Sequence, residues 1–125
     1  MRIIFIGILT ILLVGCGKEQ PMLAGGKPVS HWIQQLQSPD ARLRKKAVFK
    51  LGNVGPADPT ALPALIEALK DKDAGVCREA ILAVLKCGPS ARDAIPALSE
   101  LEKHSRDAQT RDYASKALKK LRGEA

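Results

Sequence analysis

Residues 51–69 (LGNVGPADPTALPALIEAL) and residues 84–102 (VLKCGPSARDAIPALSELE) are two versions of one pattern. The second begins 33 positions after the first, and each carries Gly-Pro followed by Pro-Ala-Leu at the same distance. A fixed period of this length is the sequence signature of a repeat protein, in which each unit packs against its neighbours. These two stretches therefore predict a stack of similar units.

The repeat extends upstream of each stretch. The aligned segments are SPDARLRKKA (38–47), DKDAGVCREA (71–80) and SRDAQTRDYA (105–114). Each opens with a short polar residue, and such side chains accept the free backbone amides at the start of a helix. We therefore expect a helix to begin in each segment, with these N-caps: Ser38, Asp71 and Ser105. An aspartate follows two positions later in all three and complements the positive helix end.

Apolar residues recur at helical spacing after each cap. The sets predicted to face the core are Leu43, Ala47, Val48 and Leu51; Val76, Ala80, Ile81 and Val84; and Ala114, Ala117, Leu118 and Leu121. Gly55 and Gly88 are expected to end the preceding helices with positive φ, and the proline behind each blocks continuation. A shorter helix over residues 29–36 opens the array, and its Trp32 is predicted to cover the end of the core. We expect six helices and no strand after Lys27.

A two-helix unit of about 33 residues, with D-x-x-V at the second helix and Gly-Pro after it, resembles the HEAT repeat in its short bacterial form. The resemblance covers residues 27–122 and implies an all-α fold, an α-α superhelix of about three helix pairs that binds other proteins. In that family a valine-arginine pair commonly starts the second helix, and the arginine can bond the neighbouring unit's aspartate. Leu43-Arg44 fits this pattern roughly, but Cys77 stands where the central arginine belongs. The central link between units is therefore expected to be missing.

The residues before the repeats carry a different signal. Ile3 to Val14 form an apolar run after Arg2 that would span about 18 Å as a helix, too short for a ~30 Å hydrocarbon core. A basic start, a short apolar run and small residues are typical of a secretory signal peptide. The following Leu13-Val14-Gly15-Cys16 resembles the lipobox of bacterial lipoproteins.

That resemblance implies cleavage before Cys16 and attachment of a lipid to its sulfur, which would place the protein in the cell envelope, facing the periplasm or the exterior. Gly17 is not the aspartate of an inner-membrane retention signal, which favours the outer membrane where two membranes exist. The predicted organisation is a signal peptide over 1–15, the lipidated cysteine with a linker over 16–26, and the repeat domain over 27–122. The alternative is that Cys16 is a buried core cysteine.

No constellation in the sequence calls for catalysis. Cys77 and Cys87 lie ten residues apart on one predicted helix, about 15 Å along its axis, which is too far for a disulfide. His31 and His104 have no ligand partners at metal-binding spacing. We expect free thiols, no metal and no cofactor besides the lipid on Cys16. Two alternatives remain open: an enzyme or enzyme subunit, since some HEAT-like bacterial proteins resemble bilin lyases, and a purely structural envelope protein.

The chain is basic, with a net charge of +7, and one run of basic residues stands out as a candidate binding surface. Its members are Arg42, Arg44, Lys45, Lys46 and Lys50. These residues are expected to attract an anionic partner, such as an acidic protein, lipid headgroups or a wall polymer, unless they only form a solvated helix face. Nucleic acid is a weaker expectation, because export and an aromatic content of 3% disfavour base stacking.

Overall fold

The structure, a computed structural model, describes residues 23–124. Six α-helices lie within this range, as predicted, and two short 3-10 helices, Gly55–Ala57 and Gly88–Ala94, follow the second and fourth of them. The α-helices are α1 (Val29–Gln35), α2 (Ala41–Val54), α3 (Ala61–Ala68), α4 (Ala74–Leu85), α5 (Ile95–His104) and α6 (Ala108–Arg122). Gly55 and Gly88 have positive φ, as expected of residues that end a helix.

The helices form three antiparallel pairs that stack in chain order. Within each pair the first helix packs on the second, and the second helices α2, α4 and α6 pack on one another along the stack. Leu51, Leu65, Ile81, Leu98 and Leu118 are fully buried between these layers. The fold is therefore an all-α superhelix with one continuous aliphatic core, as the sequence predicts.

Leu43 departs from the predicted core set. Its side chain is 44% exposed, whereas the equivalent Val76 and Thr110 are buried. In the second and third repeats the second helix packs against the second helix of the repeat before it. Leu43 lies in the first repeat, and the helices of residues 23–124 place no such neighbour over it. The helical period predicted which side of α2 carries the core residues, but it holds no information on where the stack of repeats ends.

A small β-hairpin precedes α1 where a linker without structure was expected. Strands β1 (Leu23–Ala24) and β2 (Lys27–Pro28) pair in antiparallel fashion around Gly25 and Gly26, whose φ angles are +57° and +76°. A two-residue turn with both φ angles positive matches the twist of a hairpin, and glycine adopts it without steric cost. The prediction of no strand after Lys27 is therefore wrong at Pro28, which lies in β2.

The hairpin is fastened to the first repeat through Trp32. The indole Nε1 donates a 2.7 Å hydrogen bond to the carbonyl oxygen of Ala24, and both residues are buried. Trp32 therefore covers the first end of the core, as predicted, but it does so together with the hairpin. The hairpin also packs on α2, which brings its turn close to Lys50.

The helix caps lie two residues later than predicted. The side chains of Asp40, Asp73 and Asp107 accept the amides of Arg42, Val76 and Thr110, so the aspartates are the N-caps. The predicted caps Ser38, Asp71 and Ser105 instead accept the amides of those aspartates, at 3.2, 2.9 and 3.3 Å. Each polar residue therefore shapes the turn that leads into the helix, which is the other common use of Ser and Asp side chains.

Candidate interaction surfaces

Arg44 belongs to the joint between the first two repeats and not to the surface. Its side chain is buried, and its Nε and Nη2 donate to the carboxylate of Asp71 at 2.8 and 3.1 Å. Its Nη1 donates to the backbone oxygens of Ser38 and Pro39. The hydrogen bonds to Asp71 raise the pKa of Arg44. The prediction that Arg44 takes part in a basic binding surface is therefore wrong, because its donors are already used inside the fold.

The second joint is made differently from the first. Cys77 occupies the position equivalent to Arg44, and its thiol donates to the backbone oxygen of Asp71 at 2.8 Å. This side chain is too short to reach the third repeat. Arg78, the next residue, donates from Nη1 to Asp107 at 2.7 Å and joins the second repeat to the third. The link between the second and third repeats, which was expected to be missing, is therefore present, and it is made one residue further along α4.

Cys77 in α4 and Cys87, the residue after the C-cap of α4, both lie inside the fold. Cys77 and Cys87 are free, as predicted, and both are buried. Burial raises the pKa of Cys77 to about 11, with a smaller contribution from the Asp71 carboxylate, and burial also raises the pKa of Cys87. Within residues 23–124, no group of three or more His, Cys, Asp or Glu side chains is arranged to hold a metal ion.

The remaining basic residues of α2 do not share one environment. Arg42 is 92% exposed and pairs with Asp40 at 3.3 Å, beside the helix cap. Lys45 lies on the outer side of α2, one turn before Phe49. Lys46 and Lys50 line a hollow beside the hairpin. Together with Arg44 in the repeat joint, the predicted basic run therefore divides among four places. Cys16, the predicted lipid attachment site, lies outside the described residues.

The outer side of the second helices carries exposed apolar residues. We define the second-helix face by Lys45, Phe49, Leu82 and Lys86. Phe49 is 44% exposed and Leu82 is 43% exposed, and they occupy equivalent positions, 33 residues apart, in consecutive repeats. Lys86 Nζ lies 5.0 Å from the centroid of the Phe49 ring and donates to Asn53 Oδ1 at 3.1 Å. The two helices thus present one surface with apolar residues in the middle and lysines beside them.

This face was not foreseen from the sequence, although a signal for it exists. Phe49 and Leu82 are apolar at the same repeat position and yet lie outside the predicted core sets. Their helices approach closely because Gly52 has no side chain: a Cβ atom there would lie 2.7 Å from the Cβ of Ala83. An apolar residue that recurs off the core side of a repeat is therefore the pattern to look for.

A basic hollow of about 430 Å³ lies where the hairpin turn meets α1 and α2. We call it the hairpin cavity, and its main lining residues are Lys27, His31, Trp32, Leu43, Lys46 and Lys50. Lys46 Nζ lies 5.9 Å from the centroid of the Trp32 ring, and the His31 ring meets the same indole edge-on at 4.9 Å. Lys27 and His31 were not part of the predicted basic surface, because only the hairpin brings them to α2.

Helix pairs stacked in one direction define an α-solenoid, and in this chain arginine–aspartate pairs join consecutive helix pairs. The profile of the family described as HEAT repeats matches residues 29–124, so the chain belongs to the HEAT repeat family. Among solved structures, the crystal structure of an engineered protein is similar over 76% of this chain, with a TM-score of 0.55 and 24% identity. This chain spans 45% of that protein's length, and the likeness bears on the fold alone.

No curated protein matches the chain significantly. None of the helices in residues 23–124 has the length and apolarity that crossing a membrane requires. The family and the two surfaces are therefore the basis for assigning a function.

Proposed function

We propose that this protein is a lipid-anchored HEAT-repeat scaffold that binds a partner protein at a membrane of the bacterial cell envelope. The observation that carries the proposal is the pairing of Phe49 and Leu82 on the second-helix face. Solenoids of stacked helix pairs use their extended sides as binding surfaces. Phe49 and Leu82 are large, apolar and exposed at the same position of two repeats. Partner binding accounts for this feature, whereas packing of the core does not require it.

The composition of the second-helix face indicates what kind of partner fits it. Phe49 and Leu82 supply the exposed apolar centre, and partly exposed aromatic residues are enriched in protein interfaces. Lys45 and Lys86 lie beside them, and charges at the edge of an interface steer an oppositely charged partner. The proposed ligand is therefore an acidic protein segment that places one or two apolar side chains between the lysines.

Membrane attachment is the part of the proposal that depends on Cys16. The lipobox resemblance of residues 13–16 supports a lipid on this cysteine. The hairpin begins at Leu23, and the intervening residues can span at most about 25 Å when fully extended. The repeat domain would therefore stay close to the headgroups, on the outer membrane where two membranes exist. The proposed role is binding without catalysis and without a cofactor beyond the lipid.

Metabolic labelling with a fatty-acid analogue tests the anchor. We expect the wild-type protein to be labelled and recovered with membranes, and Cys16→Ser to lose both properties. Cys87→Ser is the matched control, because it removes a thiol that is buried in the repeats. Equal labelling of Cys16→Ser and the wild type would contradict lipid attachment at this residue.

Site-specific photo-crosslinking in intact cells tests the second-helix face. A photoreactive residue at position 82 is expected to capture one dominant protein, whereas the same residue at the exposed position 103 of α5 captures none. The double variant Phe49→Ser, Leu82→Ser should then bind the purified partner at least about tenfold more weakly, since central apolar contacts dominate interfaces. Its melting temperature should stay near the wild-type value. Capture that is equal at both positions would refute this face as the binding surface.

A further inference from the structure

The hairpin cavity is more basic than the other hollows considered, although the hollow lined by Arg92 and Lys120 also lacks an acidic residue. Three lysines and a histidine line it, and no aspartate or glutamate does. By contrast, the hollow between α1 and α3 includes Glu67 and Asp71, and the one between the second and third repeats includes Asp71 and Asp107. Positive charge in the hairpin cavity is therefore not balanced by acidic residues of its own lining.

The three lysines of the cavity are Lys27, Lys46 and Lys50. Within residues 23–124, none of them has a carboxylate oxygen within 4.0 Å of its Nζ, although other surface lysines do. Lys116, for example, pairs with Asp112 at 2.7 Å. Each ammonium group carries three hydrogen-bond donors. The cavity therefore offers a set of charged donors that the described part of the protein leaves available for an anion.

Two of these lysines lie against neighbouring groups, Lys50 against the hairpin turn and Lys46 against Trp32. Lys50 lies so close to the hairpin turn that a Cβ atom at Gly25 would approach its Nζ to 2.7 Å. Lys46 lies over the indole of Trp32, which is itself fixed by its hydrogen bond to Ala24. Side chains that are already ordered lose less freedom when a ligand binds. The turn and the tryptophan thus prepare the cavity for binding.

Two exposed leucines flank the lysines. Leu23, at the start of the hairpin, is 60% exposed, and it lines a neighbouring hollow together with Gly25 and Lys50. Leu43 lines the hairpin cavity itself and is also exposed. Basic residues that take up phosphate charge, next to apolar residues that enter the acyl boundary, are the combination found in proteins that lie on a lipid surface. A soluble phosphate ester would leave both leucines unused.

We propose that the hairpin cavity binds the phosphate group of an anionic lipid headgroup. Lys27, Lys46 and Lys50 donate to the phosphate oxygens, while Leu23 and Leu43 enter the interface beside it. The volume of about 430 Å³ is within the range of small-molecule sites and suits a headgroup. This assignment deepens the proposed function, since a lipid on Cys16 would keep the same end of the solenoid at the bilayer.

Trp32 is the only tryptophan of the chain and lies in the cavity, so its fluorescence reports on binding there. We would titrate the full-length Cys16→Ser chain with phosphatidylcholine vesicles that contain or lack phosphatidylglycerol. The apolar residues 3–14 would encounter the same acyl chains in both kinds of vesicle. The difference between the two titrations therefore measures the effect of the anionic headgroup on binding. Because this chain carries no lipid, the result does not depend on whether the anchor exists.

We expect the triple variant Lys27→Gln, Lys46→Gln, Lys50→Gln to lose the preference for phosphatidylglycerol by roughly tenfold or more. The control triple variant Lys72→Gln, Lys103→Gln, Lys119→Gln removes the same amount of charge elsewhere on the surface. It should keep most of the preference for phosphatidylglycerol. Should the first triple variant lose its helical circular dichroism, Lys27→Gln alone, on the hairpin, gives the same test with a smaller expected loss.

Two results would overturn the proposal. In the first, both triple variants lose the preference equally, which would make it a property of net charge. In the second, inorganic phosphate at the same phosphate concentration changes Trp32 fluorescence as strongly as the anionic vesicles do, which would assign the cavity to a soluble phosphate. Conversely, Leu23→Ser, Leu43→Ser should weaken vesicle binding, as an interfacial site requires.

Discussion

Arg44 and Asp71 form a two-point ion pair that fixes the first repeat to the second, with N–O distances of 2.8 and 3.1 Å. Both side chains are largely shielded from water, and the same guanidinium also satisfies two backbone oxygens of the turn before α2. A buried ion pair need not add stability over a well-packed apolar contact, but removing one partner leaves the other charge without compensation.

Replacement of Arg44 should therefore destabilise the whole domain. We expect Arg44→Met to lower the melting temperature by at least about 5 °C, because Asp71 keeps its charge and loses its partner. Arg44→Lys should recover only part of the loss, since an ammonium cannot reproduce the two-point geometry. Arg42→Met is the control, because Arg42 is exposed and its pair with Asp40 contributes little. Thermal melts followed by circular dichroism that showed equal losses for Arg44→Met and Arg42→Met would contradict this account.

Asp107 gives the fold a dependence on pH at the second joint. The Thr110 hydroxyl donates to its carboxylate at 2.6 Å, the Thr110 amide donates at 2.8 Å, and Arg78 donates at 2.7 Å. These hydrogen bonds hold the pKa of Asp107 below its ordinary value. Because the folded pKa lies below the unfolded value of about 3.9, the contribution is complete above that pH and is lost as pH falls through the folded pKa.

Asp107→Asn tests this dependence. At neutral pH the variant should unfold at a lower denaturant concentration than the wild type, because it loses the charge that Arg78 and the Thr110 donors stabilise. The difference should shrink as the pH falls below about 4, where the wild-type carboxyl also becomes neutral. Urea melts over this pH range measure the difference directly. Curves that stayed parallel down to the lowest pH would show that the Asp107 carboxylate does not supply the effect.

The repeat period predicted the helices well because each helix start and each core position occurs three times. One ambiguous residue, such as Cys77 in place of an arginine, does not disturb such a pattern. The caps were nevertheless placed two residues too early in all three repeats, because the period aligns Ser38 and Asp40 equally well. The other errors fall where the period carries no information. Leu43 has the phase of a core residue but lies at the end of the stack, and Gly25-Gly26 is compatible with both a linker and a hairpin turn. Only the contact between Ala24 and Trp32 decides between them.

The candidate surface was harder to predict for a geometric reason. Arg44, Lys45 and Lys46 are consecutive in sequence, but consecutive residues point about 100° apart around a helix. They therefore enter the repeat joint, the second-helix face and the hairpin cavity respectively. A basic run in a helix predicts charge, whereas its division among surfaces depends on the neighbouring elements. Lys27 and Phe49 could be assigned only after those elements were in place.

The thiols of Cys77 and Cys87 should resist modification while the protein is folded. Both are buried, and burial holds the pKa of Cys77 at about 11, so little thiolate is present near neutral pH. In the Cys16→Ser chain we expect no reaction with a thiol reagent at pH ~8 under native conditions and reaction of both thiols in guanidinium chloride. A thiol that reacted rapidly in the folded chain would contradict the packing of α4 described here.

Gly52 links the packing of the repeats to the second-helix face. Replacing glycine by alanine inside a helix normally stabilises it, because glycine has the greater conformational entropy to lose. Here the added Cβ would lie 2.7 Å from the Cβ of Ala83 and 3.0 Å from its Cα, so α2 and α4 would have to move apart. We expect Gly52→Ala to reduce the free energy of unfolding by about 1–3 kcal/mol, as overpacking does.

The exchange Gly52→Ala, Ala83→Gly separates steric conflict from helix propensity. It moves the methyl group to the opposite helix and should recover most of the stability lost by Gly52→Ala alone, measured by urea denaturation. The same separation of α2 and α4 would draw Lys86 away from Phe49 and Asn53, so Gly52→Ala should also weaken partner binding, and the exchange should restore it. If the single variant were as stable as the wild type, the close approach of the two helices would not be what shapes this face.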